Sequence, residues 1–394
     1  MKLPNYNDLS DEQLEIYLFE DYDENLMIVG PPGSGKTIMA YYRADAIAEE
    51  TGNEVHVIMY NNTLRAFSSN ALVNPNVKVS TQFTFMNEWW KKFTVWRKPP
   101  TNRFVFEWDK MFAEFLEYRK KVDPHNMSWQ HLIIDEGQDF PPGMYKFLRN
   151  IQKYGLSDCN CAKSITVLAD ENQRLQSNEN STLKDIKNAL EIDDEHLFFL
   201  TKNYRNTDEI AGLASYFQVG LASGHAEPSG KHGEIPLLVA SASFDKEMEF
   251  FLNYVKLHDN QEIGVFVDND LRRKQVLSIL QKELGGFMNI QSYSSRDPEW
   301  KNHKKLKFDR QGLISVFNRQ SAKGLEFDAV FIMNMEDIRF DPGSVDSFKM
   351  VLYVLCTRAR EYLTMMYVNS GRGKPGFLDL FENIDSKFLE FKNV

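Results

Sequence analysis

Short apolar runs rich in β-branched residues recur along the chain, with helix-like segments between them. In the first half they occupy Leu26 to Val29, Val55 to Met59, His131 to Ile134 and Ile165 to Leu168. In the second half they occupy residues 236–240, 263–267, 313–317, 329–333 and 363–368. Apolar strands that alternate with helices are typical of parallel sheets covered by helices. The pattern therefore predicts an α/β fold with two such sheets.

The two series of strands predict two domains, residues 1–200 and 201–394, with a short insertion at about 82–130 in the first. The insertion combines aromatic with basic side chains: Trp89, Trp90, Trp96, Phe104, Lys91, Lys92, Arg97, Lys98 and Arg103. A second basic stretch contains Arg296, Lys301, Lys304, Lys305 and Lys307. Each stretch either contacts a phosphate backbone or is solvated surface charge. For the insertion, the second alternative places this charge over a packed aromatic core.

Composition narrows the class of protein. A chain of 394 residues with 42% hydrophobic content is long enough for two or three domains with buried cores. The formal net charge of −10 argues against a generally basic surface that coats nucleic acid. There is no apolar run of roughly 20 residues and no signal-peptide pattern, so we expect a cytoplasmic protein without membrane contact. Three cysteines without zinc-ligand spacing predict neither a structural metal nor a disulfide.

A glycine-rich loop follows the first apolar strand. Residues 30–37 read GPPGSGKT, which fits the phosphate-binding pattern GxxxxGK[ST] between a strand and a helix. Backbone N–H groups of such a loop surround phosphates, and the helix N-terminus adds partial positive charge. We expect Lys36 to reach the β and γ phosphates of ATP and Thr37 to offer its hydroxyl to Mg²⁺. The candidate nucleotide-binding residues here are Gly30, Pro31, Pro32, Gly33, Ser34, Gly35, Lys36 and Thr37.

An acidic pair follows a later apolar strand. Residues 131–139 read HLIIDEGQD, which puts Asp135 and Glu136 where the strand reaches the carboxyl edge of the sheet. Ligands of open α/β sheets bind at that edge. Hydrolysis requires a carboxylate that holds Mg²⁺ and a group that orients or deprotonates the attacking water. Asp135 suits the first role and Glu136 the second.

Six motifs occur in a fixed order along the chain: GPPGSGKT, IIDEGQD, ADENQR, LTKNYRN, SAKGLEFDAVFI and LYVLCTRAR. With these motifs the chain resembles the UvrD/Rep-like superfamily 1 helicases. The resemblance implies two RecA-like domains, ATP at their interface, and single-stranded DNA across their upper surface.

By the same resemblance, three residues are expected to hold the base and sugar of the nucleotide. Gln13 is similar to the glutamine that reads adenine, and Tyr204 to the aromatic residue that stacks on it. For Tyr204, packing in the core is the alternative interpretation. Glu326 is similar to the carboxylate that contacts the ribose, and Gly324 of the same motif is assigned to the nucleotide site with it.

Three further residues are expected at the γ-phosphate. Gln173 is similar to the glutamine that senses this phosphate and couples it to domain closure. Arg205 and Arg358 are similar to the two arginines that approach it from the second domain. Physical reasoning agrees, because charge that develops on the transferred phosphoryl group is stabilised by fixed cations.

The chain departs from the family pattern where nucleic acid is held. The usual SIYxF aromatic residues are replaced by Arg174, Leu175, Gln176 and Ser177, and the usual TxH of the fifth motif by Asn318, Arg319 and Gln320. The stretch between Arg205 and Ser321 is too short for the large accessory domain of the family.

Two functions remain open from the sequence. The first is a DNA-dependent ATPase that translocates on single-stranded DNA, with the 3′ to 5′ direction typical of the family. The second is a regulatory ATPase switch, whose ATP-bound state acts on a separate nuclease or other effector protein with little translocation. A small P-loop kinase is excluded, since such enzymes lack the NYRN and KGLEF motifs.

Overall fold

A computed structural model gives the fold of the chain. It describes all residues except 1–5, 60–73, 95, 96, 104, 158–160, 174–179, 221–223, 225, 295–305, 309 and 372. The expected α/β class is confirmed, because two separate parallel sheets are each flanked by helices.

The first sheet lies in the first half of the chain and has six strands in the order β3-β2-β6-β7-β1-β8. All neighbouring strands in it are parallel. Its strands are β1 (Leu26–Val29), β2 (Val55–Met59), β3 (Val77–Thr81), β6 (His131–Ile134), β7 (Ile165–Ala169) and β8 (Leu197–Phe199). This order places β1 between β7 and β8.

Helices cover both faces of the first sheet. They are α1 (Asp11–Tyr17), α2 (Lys36–Thr51), α3 (Gln82–Thr94), α4 (Trp108–Tyr118), α5 (Pro124–Met127), α6 (Pro142–Gly155) and α7 (Leu183–Leu190). Leu26 and Ile28 pack in the cluster with α1 and α2, whereas Met27 and Val29 pack in the cluster with α3 to α7. The alternation of side chains along a strand thus accounts for an apolar run that is buried on both faces.

The second sheet has seven parallel strands in the order β11-β12-β10-β13-β14-β9-β15. They are β9 (Leu237–Ser241), β10 (Glu262–Val267), β11 (Asn289–Tyr293), β12 (Leu313–Asn318), β13 (Phe327–Ile332), β14 (Ala359–Val368) and β15 (Glu390–Asn393). Its helices are α8 (Asp208–Ser215), α9 (Phe244–Leu257), α10 (Asp270–Leu284) and α11 (Val345–Cys356). Helix α8 already packs on the second core, through Ile210 and Leu213. The domain limits 1–200 and 201–394 stay a prediction.

The insertion in the first half contains α3, α4, α5 and a small antiparallel hairpin of β4 (Thr101–Asn102) and β5 (Val105–Phe106). Trp89 and Trp90 are buried in it, and Trp89 packs edge-on against Phe147 with ring centroids 6.0 Å apart. The indole Nε1 of Trp89 donates to the carbonyl of Met127 at 2.8 Å. For these two aromatic residues the core interpretation is therefore correct. Trp96 and Phe104 lie outside the described residues.

Two further expectations concern the whole chain. Cys161 is disulfide-bonded, so the expectation that no disulfide forms is wrong. It rested on zinc-ligand spacing, which carries no information about a disulfide. Among the helices that the structure describes, none is long and apolar enough to cross a membrane.

Candidate nucleotide site

The glycine-rich loop turns between β1 and the first residue of α2. Gly33 and Gly35 have φ angles of +79° and +90°, which residues other than glycine rarely adopt. A Cβ on Gly33 would also lie 3.0 Å from Cβ of Arg205, so the loop is pressed against the segment that follows β8. Local sequence and close packing together give the loop its shape.

The loop side chains are bonded within the first half of the chain. The ammonium group of Lys36 donates to the carbonyls of Gly30 at 2.7 Å and Pro31 at 2.9 Å. Burial lowers the pKa of Lys36. The hydroxyl of Thr37 donates to Oδ2 of Asp135 at 2.8 Å, and the hydroxyl of Ser34 to the carbonyl of Pro31 at 2.8 Å. The ammonium group of Lys36 thus lies against the loop that is expected to bind the phosphates.

Asp135 and Glu136 follow β6 at the edge of the sheet that the loop occupies. Glu136 has a φ angle of +55°, and its Oε2 accepts from the Gln138 side chain at 2.6 Å. Burial alone raises the pKa of such a carboxyl group, but the ammonium groups of Lys323 and Lys36 hold the pKa of Glu136 well below its usual range. Glu136 is therefore ionised at neutral pH.

Arg358 reaches the first sheet from the second half of the chain. It lies at the junction of α11 and β14 and is almost fully buried. Its Nη2 donates to Oε1 of Gln173 at 2.8 Å, and its Nε to the carbonyl of Val354 at 2.9 Å. Burial lowers the pKa of Arg358 to about 10, so the guanidinium stays protonated at neutral pH. Gln173 and Arg358 are thus brought together across the two sheets.

Arg205 lies beside Arg358 and is bonded mainly to the second half of the chain. Its guanidinium forms an ion pair with Glu326 and donates from Nη1 to the carbonyl of Thr357 at 3.2 Å. Burial raises the pKa of Glu326, but Arg205 and Arg360 outweigh this effect and the pKa is lowered. Glu326, expected at the ribose, therefore holds an arginine in this state.

Lys323 is a site residue that the sequence analysis missed. It is buried, and its ammonium group donates to Oδ1 of Asp139 and to the carbonyl of Gln173, both at 2.7 Å. It also lies 3.7 Å from Oε2 of Glu136. Burial lowers the pKa of a lysine, but Asp139 and Glu136 outweigh it and raise the pKa of Lys323. Its position directly before Gly324 in the KGLEF motif was the available signal.

Gln13 and Tyr204 contact the glycine-rich loop through the carbonyls of Ser34 and Gly33. Gln13 donates from Nε2 to the carbonyl of Ser34 at 3.2 Å, and its Oε1 accepts from the backbone of Ser10 at 3.1 Å. Tyr204 donates its backbone N–H to the carbonyl of Gly33 at 2.8 Å, and the ammonium of Lys202 lies 5.6 Å from its ring centroid. Tyr204 is half-buried, and it does not belong to any of the hydrophobic clusters formed by the described residues.

These residues surround a cavity of about 1060 Å³ between the two sheets. The predicted residues that line it are Gln13, Pro32, Gly33, Gly35, Lys36, Thr37, Glu136, Gln173, Tyr204, Arg205, Gly324, Glu326 and Arg358. Gly30, Pro31, Ser34 and Asp135 do not line it. They lie behind it and bond to Lys36 or Thr37, or to one another.

Several buried polar atoms at the cavity have no partner among the described residues. They are Oη of Tyr204, Nε of Arg205 and Oγ1 of Thr207, and all three residues line the cavity. A buried polar atom without a partner costs about 1 to 3 kcal/mol. Such atoms in a cleft favour a polar ligand there.

The donor set of the loop fits a magnesium ion. The hydroxyl of Thr37, which lines the cavity, and a carboxylate oxygen of Asp135 directly behind it are two hard oxygen atoms 2.8 Å apart. Mg²⁺ in nucleotide sites is held by one or two protein oxygens together with phosphates and water. The described residues contain no group of three or more metal-ligating side chains. Without phosphates, the described part of the chain therefore offers this ion no complete cage.

Residues 23–229 match a family described as Schlafen group 3, DNA/RNA helicase domain, and residues 282–370 match the UvrD-like helicase C-terminal domain. The ATP-dependent DNA helicases PcrA of two Staphylococcus epidermidis strains are 25% identical over 175 residues, which is 36% of this chain and 24% of theirs. The chain thus matches about a quarter of the length of these relatives.

Among solved structures, the C-terminal domain of a possible DNA helicase from Lactobacillus plantarum WCFS1 is similar, with a TM-score of 0.35 and 18% identity. The match covers 48% of this chain and 98% of that one.

Two parallel sheets and the matched families define a UvrD/Rep-like superfamily 1 helicase-like protein. The match to residues 23–229 spans more than half of the chain. The chain therefore belongs to the family of the Schlafen group 3 DNA/RNA helicase domain.

Proposed function

We propose that the protein hydrolyses ATP with Mg²⁺ in the cleft between its two sheets and uses the cycle to move along single-stranded DNA. The observation that supports this most is the contact of Arg358 and Lys323, from the second half of the chain, with Gln173 and Asp139 of the first. These cations belong to one half of the chain and reach the proposed phosphate site of the other half. The rate of hydrolysis therefore depends on the relative position of the two halves.

Each residue of the cleft has a chemical task in this proposal. Lys36 leaves the loop carbonyls and binds the β and γ phosphates, while the loop N–H groups and the start of α2 add positive charge. When bound, Mg²⁺ neutralises phosphate charge, and Thr37 and Asp135 would hold it. Glu136 orients the attacking water. Arg205 and Arg358 stabilise the charge that develops in the transition state.

A regulatory switch is the second candidate, and one observation favours it. Trp89 and Trp90 are buried in the insertion, so they cannot replace the aromatic residues that support DNA bases in the resembled family. Stacking of a base on an aromatic side chain contributes about 1 to 3 kcal/mol. A weaker hold on DNA favours a protein whose ATP-bound state acts on a separate nuclease or other effector.

Lys36→Ala is the first test of the nucleotide site. Hydrogen bonds to charged groups contribute about 1.5 to 3 kcal/mol, so we expect ATP affinity to fall roughly 10- to 150-fold. Calorimetric titration with a nonhydrolysable ATP analogue measures it. Lys153→Ala is the matched control, because Lys153 pairs with Glu191 on the surface of α6. An unchanged affinity in Lys36→Ala would show that the nucleotide binds elsewhere.

The rate of ATP hydrolysis then separates the two candidate functions. We would measure it alone, with single-stranded DNA, and with candidate effector proteins. A motor is stimulated by the DNA, whereas a switch is stimulated by its effector. A duplex with a 3′ single-stranded tail and one with a 5′ tail would test the direction of movement.

The basic residues of the insertion are a candidate contact for the DNA backbone. Lys92, Arg97 and Lys98 are exposed and Lys91 is half-buried. Of the second basic stretch only Lys307 is described, and it is exposed.

Replacing Lys91, Lys92, Arg97 and Lys98 by Ala should weaken binding to single-stranded DNA and reduce its salt dependence. Each lost phosphate contact should flatten the slope of log affinity against log salt concentration by about 0.7. Four exposed lysines of α9 and α10 serve as the control set: Lys246, Lys256, Lys274 and Lys282. An unaltered slope in the insertion variant, or an equal change in the control, would leave these residues as ordinary surface charge.

A further inference from the structure

The cavity is lined by more residues than those assigned to the nucleotide. Further residues of the second half of the chain line a part of it that we call the extension. This extension is lined by Lys231, His232, Gly233, Glu234, Tyr254, His258, Gln261, Glu361 and Tyr362. The whole cavity, about 1060 Å³, is slightly larger than the usual range of roughly 300 to 1,000 Å³ for small-molecule sites. None of the nine has a role in the phosphate chemistry proposed above.

A short loop, residues 231–234, lines the extension and contacts the segment that carries Tyr204. The ammonium of Lys231 donates to the carbonyl of Tyr204 at 2.9 Å, which fixes the start of the loop beside the expected base position. A Cβ on Gly233 would lie 2.7 Å from Cγ2 of Thr207 and 3.3 Å from the carbonyl oxygen of Glu361. The loop is therefore held tightly against both segments.

Three stacked rings form one wall of the extension. Tyr254 lies between Tyr362, with centroids 4.3 Å apart and planes at 24°, and His258, with centroids 4.0 Å apart and planes at 17°. Tyr254 and Tyr362 also pack against Phe331 in the core. Both faces of the Tyr254 ring are covered by this stack. The half-buried His258 ring ends the stack and lines the cavity.

Hydrogen bonds fix the two polar groups at the end of this stack. Nδ1 of His258 lies 2.9 Å from the carbonyl of Tyr254, and the backbone N–H of His258 donates to the same carbonyl at 3.1 Å. Oε1 of Gln261 accepts from the Tyr254 hydroxyl at 2.7 Å. The Gln261 side chain also lines the cavity and carries an amide donor group, Nε2. A fixed ring face with an adjacent amide donor is suited to a flat heteroaromatic ring with acceptor atoms at its edge.

Charge around the stack argues against a phosphate in the extension. Glu234 and Glu361 line it together with Lys231, and they offset the charge of this lysine. The phosphate groups belong at the other end, with Lys36 and the arginines. The extension is therefore suited to an uncharged planar group.

We propose that His258 and Gln261, supported by Tyr254 and Tyr362, form a second nucleobase subsite in the cleft, separate from the base position at Gln13 and Tyr204. It takes the base either of a free nucleoside or of a nucleic-acid strand. Binding there does not require hydrolysis, so this inference is independent of the proposed ATPase activity.

Fluorescence of aminopurine riboside, a nucleoside analogue, tests the subsite in the full chain. The nucleotide site is first saturated with a nonhydrolysable ATP analogue and Mg²⁺. We expect the riboside to be quenched with one saturable site. His258→Ala should weaken this binding by roughly 5- to 150-fold, the range that base stacking gives on alanine substitution. His258→Phe keeps a ring and should restore most of it. His125→Ala, an exposed histidine on α5, is the matched control.

The source of the base is distinguished by a second arm. Oligonucleotides carry aminopurine either at the 3′ end or at an internal position, and the dependence of quenching on His258 is compared with that of the riboside. Binding of the riboside identifies a nucleoside ligand, and His258-dependent binding of an oligonucleotide alone identifies a strand; both support the subsite.

Three outcomes would overturn the inference: no His258-dependent quenching of either probe, equal affinity in His258→Ala and the parent protein, or displacement of the riboside by the ATP analogue. Thermal melting of each variant verifies that it is folded. Because Lys36→Ala should lose ATP affinity and still bind the riboside, failure of one site is distinguishable from failure of the other.

Discussion

Arg358→Ala is expected to lower the rate of ATP hydrolysis by about 10³- to 10⁵-fold, the contribution of arginines that reach a transferred phosphoryl group. The reason is the position of the guanidinium, which meets Gln173 just after β7 of the first sheet, while the Arg358 backbone lies directly before β14 of the second sheet. Single-turnover hydrolysis at saturating ATP measures the effect. ATP affinity should change much less, because the interaction strengthens only as charge develops in the transition state.

Three further variants test whether the effect of Arg358→Ala is specific to the site. Arg358→Lys keeps the charge but not the planar fork of donors, so it should recover only part of the rate. Arg205→Ala should also lower the rate strongly, since Arg205 lines the same cavity. Arg149→Ala removes a surface arginine that pairs with Glu191 and should have no effect. Parent-like hydrolysis in Arg358→Ala would mean that the second half of the chain does not complete this site.

Glu136→Gln is expected to lower hydrolysis by about 10²- to 10⁴-fold while ATP stays bound. The carboxamide has nearly the same shape, so the buried contacts with Gln138 can persist, but it lacks the negative charge. Since Lys323 and Lys36 hold the pKa of Glu136 below its usual range, the residue is a weak proton acceptor. We therefore expect it to act mainly by orienting water through a charged hydrogen bond.

Nucleotide affinity and single-turnover rate, measured on the same preparation, test this role of Glu136. Glu88→Gln, an exposed glutamate on α3, is the matched control. If Glu136→Gln hydrolysed ATP at the parent rate, another group would have to orient the water. If it lost ATP affinity instead, Glu136 would be a binding residue and the assigned role would be wrong.

The sequence by itself determined the elements that depend on neighbouring residues. Apolar runs such as Leu26–Val29 predicted strands, because a strand buried on both faces has no polar positions. The GxxxxGK[ST] pattern of the glycine-rich loop was equally local, since its residues lie within eight positions of one another, whereas the packing of the loop against Arg205 was not. The six ordered motifs also indicated the family, which the matches to residues 23–229 and 282–370 bear out.

Only the tertiary structure decided how residues far apart in the chain meet. Lys323 contacts Asp139 over a separation of 184 residues, and no periodicity of the sequence encodes that pair. The same holds for the buried Trp89 and for the stack of Tyr254 on His258 and Tyr362 in the extended cleft. The physical reason is that strand and loop patterns follow from local backbone geometry, whereas the packing of two sheets fixes which side chains share a cavity.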